Sequence, residues 1–475
     1  MKCGDRRRVV NGDFIPIKIT GRHFIRLFYF VVPMLLFYSN TISPRLQYIV
    51  DFFSDELFDE PIQIITDAEL FRQSIVPKLN YSDRDFSEKE FFIRKTTLLF
   101  EKGIRTQDVE CFDLNFHKAF FATNGDFPFD IFAASFYLIS RYEEWLPHQK
   151  DAYGRYAHTN SLAYKEGFLQ QPIVNIWLDE FKKALLKKFP QLVFRRSQFK
   201  CLLTYDIDIA YCYKHKGTLL NTAGFIRSAI KGDWESVNER WKTLNGDIKD
   251  PYDCFEWLDA LHLYCRVKPY YFFLLARKQE GYDKNTPTSV KEFRELIEYF
   301  GKSNRVGIHP SWQSGDDPRL LKEEKEWLEV VAEKPIPYSR QHYIRLTLPQ
   351  TYRQLIENGI QKDFSMGYGS INGFRASVCS SFLWYDLEKE ETSSLLLYPF
   401  CFMDANSFFE QKYSARQTYE ELLQYYNLIK KYKGVFISIW HNNILGSQKQ
   451  FDGWRELFEI FMKETVYWDA YYGEG

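Results

Sequence analysis

Cys201-Leu202-Leu203-Thr204-Tyr205-Asp206-Ile207-Asp208 runs a strand-forming segment straight into two carboxylates spaced one residue apart. Residues two apart on a strand point to the same side, so Asp206 and Asp208 can converge on one spot. A β-run ending in acid reads as a parallel strand that delivers ligands or bases to the C-terminal rim of an α/β sheet or barrel. Taken alone, a strand followed by an Asp-rich turn would be the plainer account. Other strand ends change that.

Downstream the chain alternates strand and helix. Strands are expected at Phe199–Asp206, Pro269–Leu275, Arg305–His309, Pro337–Leu346, Leu395–Phe402 and Gly434–His441. Amphipathic helices fall between them at Asp253–Tyr264, Thr288–Phe300, Lys322–Ala332, Leu348–Gly359 and Ser414–Tyr432. That rhythm implies parallel βαβ units, as an open doubly wound sheet or a barrel. Lys214–Lys249 is an insertion of polar helix and loop.

Three of these strands end in histidine chemistry. Val306-Gly307-Ile308-His309-Pro310-Ser311 closes on His309, Tyr338-Ser339-Arg340-Gln341-His342 sets Arg340 and His342 on one side of a strand, and Ile437-Ser438-Ile439-Trp440 delivers His441. A lone strand histidine is usually a structural group. Three of them facing an Asp-x-Asp describe a site. Two neutral imidazoles and a carboxylate, with a position left for water, form the ligand set of a catalytic zinc or similar divalent ion. A further carboxylate and histidine outside the metal would act as base and acid.

The chain has 475 residues, more than one core usually holds, and a boundary is expected near Phe189-Pro190 and Arg195-Arg196-Ser197. The divisions are an extension 1–33, an amino-terminal α/β domain 34–195 and a catalytic domain 196–475. In the first half Met34–Ser39 reads as a strand, Ser43-Pro44 as a helix start, and Pro61–Thr66, Glu90–Arg94 and Thr97–Phe100 as further strands. Asp130–Trp145 and the stretch from Pro172 to Lys188 read as helices. His117, His148 and His158 stand isolated and read as ordinary histidines. The head is basic, and Phe24 to Tyr38 is apolar but shorter than the about twenty residues of a membrane span. It reads as an extension before a start at Met34, or else as a signal or anchor, which would place the protein at the envelope.

Basic and acidic residues nearly balance, 62 against 63, which argues against a nucleic-acid partner. Eight cysteines without a CxxC read as free thiols of a reducing, cytoplasmic compartment. Trp312, Trp440 and Tyr343 lie beside the proposed site, either to stack on a ligand or to pack the mouth.

Thr204-Tyr205-Asp206-Ile207-Asp208, Gly307-Ile308-His309-Pro310-Ser311, Gly373-Phe374-Arg375-Ala376-Ser377, Met403-Asp404 and Ile439-Trp440-His441 resemble, in order, the motifs of NodB-type polysaccharide deacetylases, carbohydrate esterase family four. The resemblance covers about residues 198–465 and implies a distorted (β/α) barrel. The upstream chain resembles the amino-terminal domain that precedes such catalytic domains in some bacterial, Bacteroidetes-like proteins.

The resemblance implies Asp206 as general base, Asp208 as ligand of a divalent metal such as zinc, and His441 as acid. An arginine orients the base. Arg375 matches its motif in letters, Arg340 sits nearer in strand order, and either could serve. The family's H-x-x-x-H is absent, because Gln313 stands four residues after His309; His342 is the substitute ligand expected to join Asp208 and His309. The activity implied is removal of an N- or O-acetyl group from a glycan. The alternatives are a non-catalytic carbohydrate-binding or assembly protein and an amidohydrolase acting on a non-sugar C–N bond.

Overall fold

Ser43 and Pro44 start the first helix as their chemistry dictates. Ser43 Oγ accepts the Leu46 N–H at 3.0 Å, and Pro44 takes a position whose N–H would have no partner. The computed structural model describes residues 35–472; the extension 1–33 and a start at Met34 lie outside the described residues. This helix, Pro44–Leu57, shares a core with a parallel sheet of β1 (Leu36–Tyr38), β2 (Gln63–Ile65), β3 (Lys78–Ser82) and β4 (Phe91–Arg94), ordered β2-β1-β3-β4. A hairpin of β5 (Cys111–Leu114) and β6 (His117–Phe120) follows.

Several expectations need correction here. β3 was not foreseen, because its alternate residues Lys78, Asn80 and Ser82 are polar yet buried. The Lys78 ammonium donates to the carbonyls of Phe71, Arg72 and Ser74 at 3.0, 2.9 and 3.0 Å, which makes that burial tolerable. Thr97–Phe100 is not a strand but a single 3₁₀ turn at Leu98–Phe100. Asp130 Oδ2 captures the Thr96 N–H at 2.7 Å and pulls the chain off the ladder, and Leu98 and Leu99 both face the core. The long helix from Asp130 stops at Ile139, because Arg141 adopts a left-handed φ of 54° before a 3₁₀ turn at Tyr142–Trp145.

Beyond residue 195 lies a second sheet, with strands β7 (Lys200–Ile207), β8 (Tyr270–Leu274), β9 (Arg305–His309), β10 (Tyr338–Ser339), β11 (Lys362–Asp363), β12 (Phe382–Asp386), β13 (Glu391–Leu397), β14 (Phe402–Met403) and β15 (Val435–His441). Its order is β12-β13-β11-β10-β9-β8-β7-β15-β14, parallel except at the antiparallel edge β12. The sheet curls around a small inner cluster of Phe272 from β8, Phe364 after β11, Met403 from β14 and Ile437 and Ile439 from β15. Its outer face packs on the helices through Tyr205, Tyr271 and Phe273. This is a mixed α/β, barrel-like fold with a smaller α/β region before it.

The expected strand Pro337–Leu346 pairs only over Tyr338–Ser339. Beyond it Gln341 N donates to Ser365 Oγ at 2.9 Å instead of to a ladder, and Tyr343 and Ile344 take φ of 56° and 55°. Leu395–Phe402 is likewise two strands, β13, second from one edge of the sheet, and β14, at the other edge. Pro399 lies between them and has no N–H to continue a ladder.

The two sheets share one hydrophobic core. Tyr48 packs on Tyr385 with ring centroids 4.9 Å apart, and Arg45 Nε donates to Glu390 Oε2 at 2.9 Å. No described helix is long and apolar enough to cross a membrane.

Candidate active site

Parallel strands bring their C-terminal ends to one rim, and five side chains named from sequence meet there. β7 pairs with β15 so that Asp206 lies beside His441 in the ladder, and Asp208 follows one step past the strand. β9 ends on His309, and His342 stands in the 3₁₀ turn His342–Ile344 after β10. All five line a cleft of about 500 Å³.

One ligand atom from each of Asp208, His309 and His342 lies within 4.8 Å of the others, close enough to hold a metal ion. The hydrogen bonds behind them fit that use. His309 Nδ1 donates to the Arg340 carbonyl at 2.6 Å, and His342 Nδ1 donates to Asp283 Oδ1 at 3.0 Å. With Nδ1 occupied in this way, each ring turns Nε2 toward the cleft, the tautomer a metal ligand needs. Those Nε2 atoms stand 3.2 and 3.9 Å from the Asp208 oxygens, and buried Asp208 Oδ1 has no hydrogen-bond partner. A buried carboxylate oxygen between two imidazole nitrogens suits a divalent cation. Burial pushes the Asp208 carboxyl up, but His342, His309 and His441 outweigh it and hold the carboxyl below its usual range. Burial lowers His309, yet Asp206 and Asp208 overcome that and raise it.

Asp206 and His441 flank this group, each held from behind. Arg340, fully buried after β10, donates from Nη1 to Asp206 Oδ1 at 2.7 Å. Its Nε donates to Phe364 O at 3.1 Å, and its guanidinium lies over the Phe272 ring. Asp206 Oδ2 is left facing His309 Nε2 at 3.8 Å. His441 Nδ1 donates to Asp404 Oδ1 at 2.6 Å, and the His441 N–H donates to Oδ2 at 2.7 Å. Burial disfavours the imidazolium, but the Asp404 carboxylate beside it pushes the pKa up to about 10. His441 Nε2 therefore presents a proton to the cleft at neutral pH.

The structure decides between the two arginines. Arg375 bonds to Glu144, from Nε to Oε1 at 2.8 Å and from Nη2 to Oε2 at 2.6 Å, and Arg340 is the one on Asp206. A motif match in letters sent Arg375 to the wrong carboxylate. Gln313 is no ligand either: its N–H and side-chain amide both donate to Asp283 Oδ2 at 3.1 Å and so brace the partner of His342. Trp440 is buried against Phe458, away from the cleft.

Sequence reasoning assigned no role to Asp283 or Asp404, and overlooked Tyr153 and Arg155. Asp404 sat in a quoted motif directly after a strand, which was its signal. Asp283 and Tyr153 lie in loops with no local pattern. Arg155 Nη1 donates to the Tyr343 carbonyl at 2.6 Å, and Tyr153 packs on Tyr343 and Tyr282 with centroids 5.4 and 5.5 Å apart. Trp312 stacks behind, 4.4 Å from Tyr282. One wall of the cleft thus comes from the amino-terminal half.

Residues 35–190 match the model of a family of unknown function (DUF7033). No curated protein matches the sequence. Solved structures similar to this chain include a Mycobacterium smegmatis protein described as a polysaccharide deacetylase, at 13% identity and TM-score 0.37, over 58% of this chain and 86% of that one. A Pseudomonas aeruginosa PAO1 protein described in the same way and an allantoinase each align at 10% identity and TM-score 0.36, over 59% of this chain and 93% of theirs.

Proposed function

We propose that the cleft is the active site of a metal-dependent hydrolase that removes acetyl groups from a glycan. The observation that carries this is the grouping of Asp208, His309 and His342, with both Nε2 atoms turned to Asp208 and both Nδ1 atoms engaged behind. A divalent ion held there would supply Lewis acidity to the acetyl carbonyl and to water. Asp206, steadied on one oxygen by Arg340, has its second oxygen free to accept a proton from the attacking water. His441, protonated at rest beside Asp404, gives its Nε2 proton to the departing amine or alcohol, and the neutral ring left on Asp404 regains a proton from solvent before the next turnover. Acetate and the deacetylated sugar leave, and the proton taken by Asp206 returns to solvent. The aromatic wall of Tyr153 and Tyr343 suits the apolar face of a sugar ring.

The test is acetate release from acetylated oligosaccharides by zinc-loaded protein, with metal content measured on the same sample. About one ion per chain together with acetate release supports the proposal. Tight glycan binding with neither metal nor release would favour the non-catalytic alternative, for which the missing H-x-x-x-H is the sequence feature.

A further inference from the structure

The insertion after β7 is two helices, Gly217–Ile230 and Trp234–Asn245, joined by Lys231-Gly232-Asp233. Their inner contacts are polar and specific. Arg240 Nη1 donates to Asn221 Oδ1 at 3.0 Å, and its guanidinium lies over Tyr213 and Phe225. Tyr213 OH donates to Glu239 Oε2 at 2.7 Å. The opposite face has no such partners. Leu219, Ala223, Ile226 and Ile230 recur at the spacing of one helical stripe, and Leu219 and Ile230 are 85% and 81% exposed. On the second helix Trp234 and Trp241, seven residues apart on one face, are 67% and 59% exposed. None of these residues joins a core cluster among the described residues. Exposed apolar area of this kind marks an interaction surface.

Charge identifies what covers it. Residues 214–231 contain Lys214, Lys216, Arg227 and Lys231 and no Asp or Glu; of the acids on the second helix, Asp233 caps it, Glu235 accepts from Lys449 Nζ at 3.0 Å and Glu239 accepts from Tyr213 OH at 2.7 Å. We propose that this hairpin docks on an anionic lipid surface, with the stripe at the acyl boundary and the flanking cations on headgroup phosphates. The first helix has 14 residues, too short to span a bilayer but suited to lying in its interface. Two other occupants fit the charge poorly. Residues 1–34 carry Lys2, Arg6, Arg7, Arg8, Lys18, Arg22 and Arg26 against Asp5 and Asp13, so they would meet like charge on the helix. A second copy docked through the same face would set the same cations against each other. The hairpin leaves from the C-terminal end of β7, the end that bears Asp206 and Asp208.

The test is cosedimentation of the full chain with phosphatidylcholine vesicles prepared with and without phosphatidylglycerol. Binding is expected only to the anionic vesicles, and it should weaken as salt is raised. Leu219→Glu combined with Ile230→Glu should lower it at least about tenfold with the unfolding temperature unchanged, since both side chains stand in solvent. The exposed cations provide a second pair of variants, Arg227→Ala and Lys231→Ala, each expected to cost roughly fivefold in affinity. Three results would overturn the proposal. They are a wild-type chain that ignores anionic vesicles, hairpin variants that bind as well as wild type, and a wild-type dimer by light scattering that the double variant turns to monomer.

Discussion

Two buried arginine–carboxylate pairs divide this molecule between structure and chemistry. Arg375 grips Glu144 with two bonds, and Arg141 adds a third at 2.7 Å, so both oxygens of that carboxylate are occupied. Burial would raise the Glu144 carboxyl, but Arg375 and Arg141 outweigh it and pull its pKa down to about 2. Arg340 reaches Asp206 through a single 2.7 Å bond and leaves Oδ2 open to the cleft. A fully saturated pair can only hold parts together, here an amino-terminal turn to the loop before β12. A pair with one oxygen to spare can position a base and still let it react. Saturation separates the two, since both are buried arginine–carboxylate pairs.

The most severe break in that contrast is Asp206→Asn. The amide keeps the shape and can still accept from Arg340, but it cannot take a proton, so acetate release should fall about 10²–10⁴-fold with metal content retained. Arg375→Ala should do the reverse, costing roughly 3–5 kcal/mol in denaturant unfolding while turnover per folded molecule persists. Lost turnover without lost stability would return Arg375 to the site. The Glu144 pair also has a pH signature. Its folded value lies below the about 4.3 of an unfolded Glu, so its stabilisation is present above that pH and disappears as pH falls toward 2. Glu144→Gln should flatten that acid limb of the unfolding curve.

Smaller effects sharpen the comparison around the metal group. Asp283→Asn should weaken zinc binding about 10–100-fold in a competition titration by loosening His342, and His342→Ala should cost more. An unchanged affinity in His342→Ala would remove it from the ligand set. Asp404→Asn should move the alkaline limb of the pH–rate profile to lower pH. Without the Asp404 carboxylate only Asp208 and Asp206 oppose burial, and His441 gives up its proton sooner than at about 10. Tyr153→Ala should have the smallest effect, raising KM for an oligosaccharide roughly 2–10-fold with kcat little changed, as expected for one lost aromatic contact.

Much of the site was legible because strand ends are local. Asp206, His309 and His441 each lie on a strand that the apolar pattern marks out, and a parallel sheet gathers such ends on one rim. Arg340 and His342 were named on a false premise, as neighbours on one strand, although they stand in an irregular loop. Their backbone is held by Ile308 O, Ser365 Oγ and Pro310 O, and none of those bonds shows in the spacing of the residues. β3 was missed because its buried polar side chains break the apolar signature of a strand, and β12, though apolar at Phe382-Leu383-Trp384-Tyr385, because it pairs antiparallel with β13 outside the strand–helix alternation.

By itself the sequence determined the run of parallel strands, the residues at their tips and the caps of several helices. These depend on side-chain alternation and on hydrogen bonds a few residues long. The tertiary structure alone decided which arginine meets Asp206, which carboxylates stand behind His342 and His441, and that Tyr153 and Arg155 wall the cleft. Each of those choices joins chain segments between 37 and 188 residues apart. At such separations strand order and loop path set the meeting, and residue spacing carries no trace of either.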